Sequence, residues 1–146
     1  MTSSPSARHV LLIDDDPTLT EPLREALERL AGYQVTVAPD GGAGLRALST
    51  QRPDCVIVDI RMPLVNGYQF IHAVRGDPET ATIPLVVLSA LAQDEHTVAG
   101  YLSGADAYLY KPVGLDDLLA AVDQAIALTG AQRAQRLHAL TEDEGR

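Results

Sequence analysis

Apolar and polar positions along this chain fall into two alternating rhythms. Short apolar runs occupy residues 10–13, 34–38, 55–59, 84–88 and 107–110, most of them continuous, as strands buried on both faces should be. Between them, large apolar residues recur at helical spacing. Asp16 caps a first helix with Pro17 at its first position, and Leu19, Leu23, Leu27 and Leu30 mark its inner face until Gly32 ends it. Asp40 and Gly41 open a second helix carrying Leu45 and Leu48. Phe70, Ile71 and Val74 mark a third over 68–74, closed by Gly76-Asp77-Pro78. A fourth, over 94–102, has few anchors beyond Val98 and Leu102, which makes it a candidate for movement. The last carries Leu115, Leu118, Leu119, Val122 and Ile126, with Asp116 and Asp117 in the first turn, where the helix dipole favours acids. Five strands alternating with five helices specify an α/β domain with a parallel sheet covered on both faces.

Composition narrows the class. The 146 residues suit one domain, with a tail over 1–8, a folded unit over 9–128 and a C-terminal extension or the start of a linker helix over 129–146. No apolar run approaches the ~20 residues that span a bilayer, and the first nine residues lack a signal-peptide layout. A cytoplasmic, non-membrane protein is expected. A net charge of −9 disfavours direct nucleic-acid binding. The single cysteine, Cys55, lies in an apolar run and reads as a core thiol.

Parallel topology places every strand's C-terminal end on one edge, where open α/β sheets bind ligands. The stretch 56–67 delivers Asp59 there and then turns at Met62-Pro63 and Asn66-Gly67. Taken singly, Asp59 reads equally well as a turn former. Across the edge, however, strands one, three, four and five end in Asp14-Asp15, Asp59, Ser89 and Lys111. Two carboxylates near 4 Å repel by about 4 kcal/mol at an effective dielectric of 20, and one lysine cannot offset three acids. A hard divalent cation can, and Mg²⁺ favours a few oxygen ligands plus water and a phosphate. A carboxylate beside Mg²⁺, a lysine and a hydroxyl is arranged to attack phosphorus, which points to aspartyl phosphate formation.

The motifs Leu12-Ile13-Asp14-Asp15-Asp16-Pro17, Val58-Asp59-Ile60-Arg61-Met62-Pro63 with Asn66-Gly67, Leu88-Ser89-Ala90, and Gly104-Ala105-Asp106-Ala107-Tyr108-Leu109-Tyr110-Lys111-Pro112 stand in this order. Through them the chain resembles the receiver domain of two-component response regulators, of the single-domain chemotaxis-regulator type. The resemblance implies a flavodoxin-like, doubly wound (βα)5 three-layer sandwich with a parallel five-stranded sheet in the order 2-1-3-4-5. It implies that Asp59 accepts a phosphoryl group from a histidine kinase or histidine phosphotransfer protein. Mg²⁺, or Mn²⁺ in its place, would be held by Asp15, by Asp14 through a water, by Asp59 and by the Arg61 carbonyl. Lys111, Ser89 and the backbone N–H groups of Ile60 and Ala90 would hold the phosphoryl oxygens. Ser89 and Tyr108 would switch together, reshaping the face built from helix 94–102, the last strand and the last helix for a downstream protein target. The domain would catalyse only its own phosphorylation and dephosphorylation, as a monomer or a weak phosphorylation-dependent dimer.

Departures from the family pattern are modest. Ser89 stands where Thr is frequent, Asn66 where Asp is, and Val113 where Phe is. Arg61 and Leu91 occupy positions that tune phosphate lifetime in the family. Only 132–146 follow the last helix and its Gly130, which reads as a single-domain regulator, the alternative being the receiver of a longer chain. Asp14-x-Asp16-x-Thr18 also fits the nucleophile motif of haloacid-dehalogenase-type phosphohydrolases. That reading leaves no room for a cap domain and no use for Asp59. A degenerate receiver that binds partners without phosphate is a further alternative. His9, His72, His96 and His138 show no ligand spacing and are expected to be exposed. Gly41-Gly42-x-Gly44 lacks a P-loop lysine and reads as punctuation at a helix start.

Overall fold

The computed structural model describes residues 8–60, 67–89 and 104–128. Helix 94–102, Arg61, Asn66, Ala90, Leu91 and the segment 129–146 lie outside them. The elements are β1 His9–Ile13, α1 Pro17–Ala31, β2 Gln34–Ala38, α2 Gly41–Thr50, β3 Cys55–Asp59, α3 Gly67–Gly76, β4 Leu85–Ser89, β5 Ala107–Tyr110 and α4 Leu115–Ala127. All five strands run parallel in the order β2-β1-β3-β4-β5, the flavodoxin-like arrangement expected.

Strand alternation builds two cores on one sheet. Leu11, Ile13, Val56, Val58, Leu85 and Val87 face α2 and α3, with Phe70 and Ile71 buried among them. Val10, Leu12, Ile57, Val86 and Leu88 face α1 and α4, packing on Leu23, Leu27, Leu118 and Val122. The result is a three-layer sandwich whose inner strands β1, β3 and β4 are buried at every position. Cys55 belongs to the second core as a buried thiol.

Local chemistry sets the element ends. The Asp16 carboxylate accepts from the Thr18 N–H at 3.0 Å and caps α1, and Gly32 closes that helix in the left-handed region at φ 71°. Asp40 caps α2 by accepting from the Ala43 N–H at 2.8 Å.

Three readings of the sequence change. Leu30 does not join the inner face of α1 but is 65% exposed, in the last turn of a helix whose buried residues are Thr20, Leu23 and Leu27. His9 is buried within β1, with Nε2 and the Thr36 hydroxyl 2.7 Å apart, rather than exposed; His72 is exposed as expected. Gly44 is a packing contact rather than punctuation. A Cβ there would lie 2.5 Å from Ile13 Cδ1 and 3.1 Å from Phe70, so glycine lets α2 approach the sheet.

Candidate functional site

The parallel register brings the acids together. Ile13 pairs with Val58, so the residues that follow, Asp14 and Asp59, leave adjacent strands side by side. Asp14, Asp15 and Asp59 each offer a carboxylate oxygen within 4.8 Å of the others. Asp14 and Asp59 are buried and Asp15 is exposed, so the cluster opens to solvent on one side.

Asp14 is held on both oxygens. Its Oδ1 accepts from the Asp16 N–H at 3.0 Å, and its Oδ2 accepts from Lys111 Nζ at 3.1 Å. The same ammonium lies 3.3 Å from Asp59 Oδ2 and therefore bridges the ends of β1 and β3. Partial burial pulls the Lys111 ammonium down, but its bond to Asp14 and the charges of Asp59 and Asp14 outweigh that and hold it above its ordinary value. Lys111 follows β5 across a cis peptide bond to Pro112, and its backbone N–H donates to the Ser89 carbonyl at 2.6 Å. Ser89, buried at the end of β4, is thereby tied to the lysine's own backbone.

Asp16 stands apart from this set. Its Oδ1 accepts from both the N–H and the hydroxyl of Thr18, and those bonds hold its carboxyl below the usual range. Its carboxylate caps α1, and the cation-competent cluster is formed by Asp14, Asp15 and Asp59 without it.

Of the remaining expected residues, Tyr108 is half-buried against the α2/α3 core, with its ring 5.5 Å from that of Tyr110. The Ile60 N–H, expected to face a phosphoryl group, instead donates to the Leu88 carbonyl at 3.0 Å and extends the β3–β4 ladder. Arg61 and Ala90 lie outside the described residues.

Sequence reasoning treated Gly67 as a turn residue, whereas the structure shows a closer constraint. A Cβ there would lie 2.7 Å from Ile60 Cα and 2.9 Å from the Asp59 carbonyl oxygen, and the Gly67 N–H donates to the Ile60 carbonyl at 3.0 Å. Glycine allows the start of α3 to rest directly on the backbone that carries Asp59. The Asn-Gly pair was the available signal, but it marks a turn and does not show that the chain closes back onto the backbone of Asp59 and Ile60, seven to eight residues earlier.

The donor set suits a hard cation. Among the described residues, one ammonium contacts two of the cluster's three carboxylates, and every donor in the cluster is oxygen, the ligand type Mg²⁺ takes. The response regulator receiver domain model matches residues 10–123. The chain belongs to the response regulator receiver family.

Among curated relatives, this receiver is 41% identical over 114 residues to the DNA-binding dual master transcriptional regulator RpaA of Synechocystis sp., covering 77% of this chain and 46% of that protein. It is 36% identical to Protein PilH of Pseudomonas aeruginosa, over 81% of this chain and 97% of PilH. The chain spans about half the length of the first curated relatives it matches. A putative response regulator from Chloroflexus aurantiacus superposes with a TM-score of 0.79 at 34% identity, covering 84% of this chain and all of that one. The receiver domain of sensor histidine kinase PA1611 from Pseudomonas aeruginosa, solved with magnesium in its active-site cleft, gives 0.75 at 28% identity, covering 84% and 100%. As a receiver domain, the chain is a signalling module of two-component phosphorelays rather than a conventional enzyme. Among the described residues, no helix is long and apolar enough to cross a membrane.

Proposed function

We propose that Asp59 is the phosphoacceptor of a receiver spanning residues 9–128, flanked by 1–8 and 129–146. The observation that carries this is the placement of Lys111, within 3.3 Å of both Asp14 and Asp59 at a crevice where three carboxylate oxygens lie within 4.8 Å. An Asp59 carboxylate oxygen attacks phosphorus of a phosphohistidine on a sensor kinase or phosphotransfer protein. The P–N bond breaks, its electron pair returns to the imidazole nitrogen, and an acyl phosphate remains on Asp59.

Asp15, Asp14 through a water, Asp59 and the Arg61 carbonyl would hold Mg²⁺, with Mn²⁺ able to replace it. The cation supplies charge neutralisation at the phosphoryl oxygens. Lys111 pairs with one of those oxygens, Ser89 donates its hydroxyl to another, and the Ala90 N–H completes the set. The Ile60 N–H joins only by leaving the Leu88 carbonyl. Phosphorylation adds about −1.5 to −2 charge and new acceptor oxygens. Ser89 moves toward them, Tyr108 follows, and the face containing β5 and α4 shifts its population toward a form that a downstream protein reads. The domain acts in the cytoplasm, as a monomer or a weak phosphorylation-dependent dimer.

Incubation with acetyl phosphate and Mg²⁺ followed by intact-protein mass spectrometry tests this reading. The wild type is expected to gain one hydroxylamine-sensitive phosphoryl group, and Asp59→Asn none. An adduct that persists in Asp59→Asn, or steady turnover of small phosphomonoesters by the wild type, would overturn it.

A further inference from the structure

β5 is one of the sheet's two less buried strands, with β2. It is an edge strand of four residues bonded only to β4, and no side chain on it is fully buried, whereas β1, β3 and β4 are buried throughout. Tyr108 packs on one core and Ala107 and Leu109 on the other, but none is fully buried, so side-chain burial pins the register of β5 less than that of the inner strands. Yet β5 carries Tyr108 and delivers Lys111, so its register decides where the ammonium sits.

The end of β5 remote from the crevice is gripped by a buried polar cluster that the proposed chemistry does not use. Asp106, just before the strand, donates its backbone N–H to the Leu85 carbonyl at 2.7 Å, and its Oδ2 accepts from the Leu85 N–H at 2.7 Å. One residue therefore takes both backbone groups of the first residue of β4. The same Oδ2 is 3.2 Å from Arg75 Nη2, an ion pair in which the two side chains are only 11% and 4% exposed. Arg75, near the end of α3, also donates through Nε to the Gly104 carbonyl at 2.9 Å, and through Nη1 to those of Ala81 at 2.9 Å and Ile83 at 2.6 Å. Gly104 sits at φ 131°, and a Cβ on it would strike the Arg75 side chain at 2.8 Å, so its glycine is required twice over. One guanidinium thus joins α3, the approach to β4 and the approach to β5.

From that anchor the register runs without a break to the crevice. Val86 pairs with Ala107, Val87 with Tyr108, Leu88 with Leu109 and Ser89 with Tyr110, and the Lys111 N–H then donates to the Ser89 carbonyl.

We infer that Arg75 and Asp106 are positioning residues for the phosphoacceptor site, setting the register of β5 on β4 and so the placement of Lys111 against Asp59. The inference builds on the phosphoacceptor role of Asp59 and extends it to a pair at the opposite edge of the sheet. It predicts a split. The metal-binding acids leave β1 and β3, which the clamp does not touch, whereas Lys111 arrives on β5, which it does.

The test measures Mg²⁺ affinity by calorimetry and the phosphorylation rate with acetyl phosphate at saturating Mg²⁺ in Asp106→Ala and Asp106→Asn. Asparagine keeps an acceptor for the Leu85 N–H, and alanine does not. Asp106→Ala is expected to bind Mg²⁺ no more weakly than wild type, because moving the Lys111 ammonium away from Asp14 and Asp59 removes a competing cation, and to be phosphorylated about ten- to a hundredfold more slowly, the scale that a misplacement near 1 Å carries. Asp106→Asn should recover most of the rate. Should Asp106→Ala not fold, the paired Arg75→Met, Asp106→Asn chain, which leaves no buried charge unpaired, should show slowed phosphorylation at undiminished Mg²⁺ affinity. Wild-type rates in the folded variants, or a parallel loss of metal affinity and rate, would overturn the inference. Wild-type chain that gains no phosphoryl group at all would instead count against Asp59 as acceptor.

Discussion

Lys111 bridges the two buried acids of the crevice, Asp14 and Asp59. Its folded pKa lies above the ordinary 10.5, so the stability it contributes is complete below about pH 10.5 and is lost as pH rises through the folded value. Replacing it by methionine leaves Asp14 and Asp59, 3% and 4% exposed, facing each other without their cation. Lys111→Met is expected to lose about 1–3 kcal/mol at neutral pH, the usual cost of an uncompensated buried group. Saturating Mg²⁺ should restore much of that loss. Urea unfolding with and without Mg²⁺ checks both, and an unchanged midpoint would contradict the bridging role. Gly67 makes a second residue-scale prediction. Gly67→Ala forces a Cβ against the Ile60 and Asp59 backbone, which cannot yield as a side-chain tip can, and should cost about 1–3 kcal/mol in the same assay.

Among the elements, the strands and described helices were legible because their periodicities follow from burial on both faces of one sheet. Val10–Ile13, Cys55–Asp59 and Leu85–Leu88 read as strands because every residue in them is buried. Leu30 misled because spacing alone does not say which residues of a helix's last turn are buried. Ties between distant elements were not legible at all. Arg75 with Asp106, and Tyr33 with Asp123, join residues whose types are common on surfaces and whose proximity exists only after folding. The Tyr33 hydroxyl donates to the Asp123 carboxylate and links the start of β2 to α4. Burial first, then that bond and the Asp123 charge, push the phenol up to about 12 from 10.0. The folded state therefore holds the proton more tightly, and the contribution of Tyr33, present below pH 10, is lost between pH 10 and 12. Thermal midpoints across that range should fall more steeply for wild type than for Tyr33→Phe. Parallel curves would show that the tie carries no such linkage.

At the scale of the whole molecule, the sheet order brings four strand ends to one edge, and the crevice is a consequence of topology more than of any single motif. That is why the convergence of Asp14, Asp59, Ser89 and Lys111 was readable from sequence once the strands were judged parallel. The Ile60 N–H, which donates to the Leu88 carbonyl, shows the complementary point, since whether a backbone N–H faces a ligand or a neighbouring strand depends on one rung of ladder that side-chain types do not encode. The cation should act on the fold as a whole. At about a hundred times its Kd, Mg²⁺ binding to the native state alone would add about 2.7 kcal/mol of stability. A thermal midpoint that rises with Mg²⁺ in wild type and hardly moves in Asp15→Asn is the expected pattern, and equal shifts in both would place the cation elsewhere.

The central claim is that the phosphoryl group resides on Asp59 rather than on another acid of the crevice. Borohydride reduction of the phosphorylated chain, which converts an acyl phosphate of aspartate to homoserine, followed by peptide mass spectrometry, reads the position directly. Homoserine at residue 59, and at no other aspartate, is the predicted result. Homoserine at 14, 15 or 16 would contradict it.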